Sequence, residues 1–256
     1  MNLVPRSRVR RNGVVLTKET GGTYGLSSPD GLRAVIASTG EVQSVQWGKI
    51  RDPLERDKIR SFLTMAGAQL RGALVLHGSA TALPEGGAVA FVGPSYSGKS
   101  TMGALFAKRP HYKFIADDLV LLERIKSGYQ LSSTDRQPWV RPDVRALLGL
   151  SRGRTKKPML VRNRVESASL LAVVSLRFDD RLRAPRVRKL SAIEGFQRVL
   201  SCKVKVSFDD RENWQSDVQS VAELVERVRI FECVRPKRTD VTEKTIELIL
   251  ASVSNR

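Results

Sequence analysis

Gly93-Pro94-Ser95-Tyr96-Ser97-Gly98-Lys99-Ser100 decides how this chain is read. The spacing is G-x-x-x-x-G-K-[ST], and the flanks agree with it. Ala88-Val89-Ala90-Phe91-Val92 reads as a buried strand, and Ser100-Thr101-Met102-Gly103-Ala104-Leu105-Phe106-Ala107 opens a helix expected over 100–109. In a strand, loop and helix of this kind, successive backbone N–H groups and a helix N-terminus converge into a concave anion site. Lys99 supplies a point charge for the β- and γ-phosphates, and the Ser100 hydroxyl is a hard-oxygen ligand for Mg²⁺. Gly93, Pro94, Ser95, Tyr96, Ser97, Gly98, Lys99, Ser100 and Thr101 are therefore expected to hold ATP or GTP. Tyr96 stands where such loops often carry glycine, which tolerates any φ. A negative φ and a wet ring are expected there; the sharper reading is a ring that covers the nucleotide or its acceptor.

Working outward, residues 73–82 and 88–92 read as two strands joined by Pro84-Glu85-Gly86-Gly87, a hairpin signal. A turn centred on Glu85 and Gly86 makes facing residues sum to 171. His77 then lies opposite residue 94, beside the loop. Downstream, the apolar stretch 112–116 is expected to be a strand ending in Asp117-Asp118. Acids at a strand end beside a phosphate loop are where Mg²⁺ and a general base are placed. Adjacent residues of an extended segment face opposite sides, so one acid faces the nucleotide and the other holds local structure or meets the second substrate. Residues 119–123 and 129–132 read as a further hairpin around Lys126-Ser127-Gly128. His111 receives no role.

The rest of the chain reads as α/β. Residues 1–50 are a small β-rich part, with strands at 13–17, 34–37 and 42–47 and turns at Gly21-Gly22 and Pro29-Asp30-Gly31. Residues 51–256 form the larger domain. Asp52, Pro53 and Glu55 start a helix reaching about Gln69, with an apolar stripe from Ile59, Phe62, Leu63, Met65 and Ala66. A strand at 168–178 and a helix at 191–200 follow. A helix over 216–229 is expected to start on a Ser216/Gln219 capping box. A short strand at 230–234 precedes a last helix capped by Asp240 with Glu243 in its first turn.

Composition narrows the function. The chain has 256 residues, 44 Lys and Arg against 26 Asp and Glu, and a formal charge of +18. Such a surface favours anionic partners. Residues 134–198 hold 16 basic and 6 acidic residues, a net +10, densest at Arg152-Gly153-Arg154-Thr155-Lys156-Lys157 and over 181–189. Arg141 and Arg145, four apart, are placed on one helix face, one of them contacting phosphate. The apolar runs fall short of the roughly 18 residues a membrane span needs, and no apolar segment follows the basic N-terminus. Cys202 and Cys233 are too few for a metal site and are expected to be reduced and packed, as in a cytoplasm. No run interleaves aromatic with basic residues, and no helix-turn-helix or zinc pattern is present.

The set Leu76-His77-Gly78-Ser79-Ala80, Gly93 to Thr101 and Ala116-Asp117-Asp118 resembles the catalytic domain of HPr kinase/phosphorylase over residues 72–123, and in layout beyond. The resemblance implies a P-loop kinase fold of the HPr kinase and phosphoenolpyruvate carboxykinase type. It implies that Lys99 holds the phosphates, Ser100 the Mg²⁺, and His77 a place at the reacting phosphoryl. Asp118 would take the proton from the acceptor hydroxyl, with Asp117 beside it; which acid is base and which is metal ligand stays open. Residues 1–50 do not resemble that family's N-terminal domain. Its glycine-rich signature after the acid pair, which grips HPr and serves phosphorolysis, is replaced by the stretch 139–149. The layout is more similar to stand-alone HPr-kinase-like proteins, some of which phosphorylate a Ser of a lasso-peptide precursor. The expected function is thus an ATP- and Mg²⁺-dependent kinase acting on a hydroxyl, a Ser of a small protein or precursor peptide. The alternative from another class is a nucleic-acid-associated P-loop ATPase. The acceptor and the choice between monomer and homo-oligomer are left open.

Overall fold

The computed structural model describes residues 7–11, 14–19, 22–133, 137–145, 147–151, 154, 157–204 and 211–254. Gly13, Gly21, Ala146, Arg152, Gly153, Thr155 and Lys156, all named above, lie outside the described residues. The protein is a mixed α/β chain of two compact units. One comprises residues 1–75 and 205–217, the other residues 76–204 and 218–256.

In the first unit, β1 (Ser7–Arg11), β2 (Val14–Lys18), β3 (Tyr24–Ser27), β4 (Arg33–Ile36) and β5 (Val42–Gln46) form an antiparallel meander in chain order. Among its described side chains Leu26, Ala34 and Ile36 are buried. Helix α1 (Pro53–Leu70) buries Leu63, Met65 and Ala66 of the expected stripe and also Ala68, while Ile59 and Phe62 are half-buried. Gly67 has no side chain because a Cβ there would overlap the carbonyl of Gly40. The guanidiniums of Arg56 and Arg60 lie 5.3 and 5.1 Å from the ring centre of Trp47.

The second unit is built on a seven-stranded sheet. Its strands are β6 (Leu74–Ala82), β7 (Ala88–Val92), β8 (Lys113–Ile125), β9 (Gly128–Ser132), β12 (Ser167–Phe178), β13 (Arg186–Lys189) and β14 (Arg229–Arg235). The order across the sheet is β13-β14-β12-β7-β6-β8-β9, and β9 pairs again with the start of β12. Two short strands, β10 (Trp139–Val140) and β11 (Lys157–Pro158), pair separately. The helices are α2 (Lys99–Ala107), α3 (Pro142–Arg145), α4 (Ala192–Ser201), α5 (Arg211–Arg227) and α6 (Thr242–Ser254). Strands β7, β12 and β14 are parallel, with Val92 level with Ser175 and Phe178 level with Arg235. Their Phe91, Val174, Leu176 and Phe231 pack with Met102 and Phe106 of α2 and Ile246 and Ile249 of α6 in one apolar core. Among the described residues no helix is long and apolar enough to cross a membrane, and Cys202 and Cys233 are free and buried.

Four local expectations are corrected. The β6–β7 pairs sum to 170 (Gly78 with Val92, Ala82 with Ala88). The turn is centred on Glu85 alone, closed by Leu83 N–H to Gly87 O at 2.9 Å, so the same register brings His77 level with Gly93. Strand β8 does not stop at the acid pair but runs on to Ile125, because Asp118 takes a φ of 87° and kinks it; Asp is among the few residues that tolerate this region. Helix α5 begins at Arg211, so Ser216 and Gln219 lie inside it, and Gln219 donates to Glu223 one turn on, at 3.3 Å. Helix α6 begins at Thr242; Asp240 instead pairs with Arg238 at 3.3 Å, and Glu243 with Arg109.

Candidate active site

The loop after β7 is shaped by residues that few side chains could replace. Gly93 has a φ of 140°, and a Cβ there would stand 2.5 Å from the carbonyl oxygen of Leu176 on β12. Gly98 precedes α2 with a φ of 92°. Tyr96 also has a positive φ, 67°, which corrects the expectation of a negative one. The residue is 77% exposed, in keeping with the wet ring expected there. It is not solitary, however, because the Arg141 guanidinium lies 4.9 Å from the ring centre.

Lys99, the first residue of α2, is turned back into the loop. Its ammonium is buried and donates to the carbonyls of Gly93 at 3.0 Å and Pro94 at 2.9 Å. Burial lowers its pKa, while Cys202, Asp118 and Asp117 act in the opposite sense. Its own carbonyl accepts from the Ser79 hydroxyl at 2.7 Å, which ties the start of α2 to β6. Gly103 on α2 faces Ser79, where a Cβ would come within 3.1 Å, so a small residue lets helix and strand approach. Ser100 and Thr101 follow in the first turn of α2, whose unsatisfied backbone N–H groups face the loop.

The two acids differ in exposure. Asp117 is buried, and its Oδ2 accepts from the backbone N–H of Trp139 at 2.8 Å. Asp118 is exposed, next to His77. The Nδ1 of His77 lies 3.0 Å from the Asp118 carbonyl and 3.4 Å from its Oδ1. Since a carbonyl can only accept, this contact places a proton on Nδ1. The His77 backbone N–H donates to Cys202 O at 2.8 Å, which fixes the strand beneath the ring.

Lys99, Ser100, Asp117, Asp118 and His77 therefore gather on one unit, around one end of the sheet. The two low-lying arginines separate. Arg141 reaches Tyr96, whereas Arg145 is buried and donates to Ser151 O at 2.7 Å and Ser151 Oγ at 3.3 Å, closing its own loop. Much of the basic run over 177–198 is engaged in ion pairs. Arg177, Arg188 and Arg198 surround the buried Glu232, at 3.9, 3.3 and 2.7 Å, and Arg181 grips Asp179 with two nitrogens. That grip holds the Asp179 carboxyl down to about 2.

Sequence reasoning missed Arg235. The last residue of β14, it is buried, donates to Ser97 O at 3.3 Å, and lies 4.4 Å over the ring of Phe178. Its neighbourhood with the loop arises from the parallel pairing of β14 with β12, which no local pattern announces.

No protein-family model matches the chain, and no curated protein does. Among solved structures it is similar to the Hpr(Ser) kinase/phosphatase from Coxiella burnetii, with 12% identity and a TM-score of 0.39, over 70% of this chain and 95% of that one. The likeness is too distant to bear on what this chain does.

Proposed function

We propose that the protein is an ATP- and Mg²⁺-dependent phosphotransferase acting on a hydroxyl, a Ser of a small protein or of a ribosomally made precursor peptide. It would be a P-loop kinase of the HPr-kinase-like type. The observation that carries this reading is the buried Lys99 ammonium. It is held inside a glycine loop by two carbonyls, within electrostatic range of Asp117 and Asp118. Three motifs support it further through their resemblance to HPr kinase/phosphorylase: Leu76 to Ala80, Gly93 to Thr101, and Ala116 to Asp118.

In this reading Lys99 exchanges the Gly93 and Pro94 carbonyls for phosphate oxygens of the nucleotide, and the backbone N–H groups of the loop bind the rest of the chain. The exposed Asp118 is open to an acceptor hydroxyl and takes its proton as the oxygen attacks the γ-phosphorus and ADP leaves. His77 is oriented by its contact with the Asp118 carbonyl. A small hard cation that keeps several waters needs one or two carboxylates at most. The Ser100 hydroxyl and the buried Asp117, one of whose oxygens already serves Trp139, meet that requirement. Bound there, Mg²⁺ supplies charge neutralisation on the transferring oxygens.

The test is direct. Titration calorimetry of the purified chain with ATP and Mg²⁺ should show uptake that Lys99→Met abolishes. Asp118→Asn should keep the uptake and slow transfer by about 10²- to 10⁴-fold, the range for losing a general base. Mass spectrometry of candidate acceptors incubated with ATP reports phosphoserine. A chain that takes up no nucleotide, or transfer undiminished in Asp118→Asn, refutes the assignment.

A further inference from the structure

Arg235 is a buried cation that the chemistry above does not use. It is 4% exposed. One guanidinium nitrogen donates to Ser97 O, the plane stacks on Phe178, and Nε makes no hydrogen bond. Among the described residues no carboxylate lies within ion-pairing range of it. Burial accordingly pulls its pKa below the usual arginine range, opposed only by Cys233. Elsewhere in this unit the arrangement is the opposite, with three partly exposed guanidiniums closed around the buried carboxylate of Glu232.

A buried charge is unfavourable unless an opposite charge and hydrogen bonds compensate it. Here the protein supplies a carbonyl and a ring face and stops. The place where the counter-charge is missing is specific. Ser97 and Gly98 lie directly against the guanidinium, and a Cβ on Gly98 would collide with it. The Ser97 hydroxyl is likewise buried without a hydrogen-bond partner. The Ser97 hydroxyl belongs to the loop that carries Lys99, the Arg235 guanidinium lies against that loop from the end of β14, and an anion is the ligand whose oxygens accept from both.

We propose that Arg235 is a positioning residue for a nucleoside polyphosphate. It fixes the Ser97–Gly98 stretch from behind through the Ser97 carbonyl, and adds an attraction that grows with the number of charges on the ligand. This rests on the reading of the loop as a phosphate site.

Arg235→Met and Arg235→Lys are titrated calorimetrically with AMP, ADP and ATP in the presence of Mg²⁺, and both are melted without ligand. In Arg235→Met the loss of affinity should rise along that series, from under about 3-fold for AMP to about 10- to 100-fold for ATP, as an electrostatic contribution in a partly dry site demands. Its ligand-free melting temperature should be unchanged or higher, because an uncompensated charge has been removed. Arg235→Lys keeps the charge without the planar stack and should recover part of the ATP affinity. An equal loss for all three nucleotides, or a lowered ligand-free melting temperature with unchanged affinities, marks a merely structural arginine and overturns the proposal. Should Arg235→Met fail to fold, Arg235→Lys decides by the same grading. A wild-type chain that binds none of the three nucleotides refutes the phosphate-site reading itself, an outcome distinct from either variant result.

Discussion

Replacing Tyr96 by glycine separates the function of the loop from its stability. Three contributions to stability change, and they nearly cancel. The φ of 67° is unfavourable for a side-chain residue by about 1–2 kcal/mol, and glycine relieves it. Glycine loosens the unfolded chain, which removes about 0.4–1 kcal/mol. The exposed contact with Arg141 at 4.9 Å, worth about 0.5–1 kcal/mol at a wet site, is also lost. With the residue 77% exposed, little apolar burial is at stake. The net change is therefore within about 1 kcal/mol, a shift of under about 4 °C in a chain of this size. Scanning calorimetry checks that half. The other half is Kd for Mg–ATP by titration and KM for the acceptor in the transfer assay. A ring that stacks on the base is worth about 1–3 kcal/mol, so its removal should weaken ATP about 5- to 150-fold. A ring that meets the acceptor should raise that KM instead. Neither constant moving, with the melting temperature held, would eliminate a functional role for Tyr96.

Three further outcomes are expected. Gly93→Ala forces a Cβ to 2.5 Å from a strand carbonyl at a φ of 140°; a loss of about 3 kcal/mol lowers the melting temperature by about 6–12 °C, and a drop under about 2 °C would contradict the packing described. Ser191→Ala removes the hydroxyl that accepts from the Glu194 N–H in the capping box at the start of α4, while the reciprocal bond from the residue 191 N–H to the Glu194 carboxylate stays, and should lower stability by about 1 kcal/mol in a denaturant titration. Burial pushes the Cys233 thiol up to about 11 from 9. Between pH 9 and 11 the unfolded chain loses that proton while the folded chain keeps it, so stability falls as pH rises, by about 2–3 kcal/mol at the upper end. The stability difference between wild type and Cys233→Ala, followed by urea titration across that range, should narrow by that amount; a constant difference would show that the thiol titrates normally.

What the sequence disclosed was local chemistry in order along the chain. The spacing of Gly93, Gly98, Lys99 and Ser100 located the loop because each residue type answers a nearby backbone or ligand demand. The β6–β7 hairpin was displaced by a single residue, since Gly86-Gly87 permits a turn centred on either side of Glu85. The continuation of β8 through Asp118 was hidden because two adjacent acids read as a turn, whereas one kinked residue suffices. Ser216 and Gln219 match a capping pattern, yet the same pattern fits a helix interior. Arg235 was beyond reach for a different reason. Its relation to Ser97, 138 positions away, exists only once β7, β12 and β14 are laid side by side.

The two margins of the large sheet have different fates. At one margin β9 hydrogen-bonds back to the start of β12 through Ser132, Leu131 and Gln130, so part of that border is sealed by the sheet itself. The opposite margin is β13, only four residues long, and its exposed positions are Arg186, Arg188 and Lys189. An open strand is a template on which a foreign strand can polymerise, and cationic side chains along it make each added copy repel the last. Colloidal persistence of this protein at high concentration therefore draws on Arg186 and Lys189, Arg188 being paired with Glu194 and Glu232, and an apolar replacement at those two positions would be felt first as insolubility.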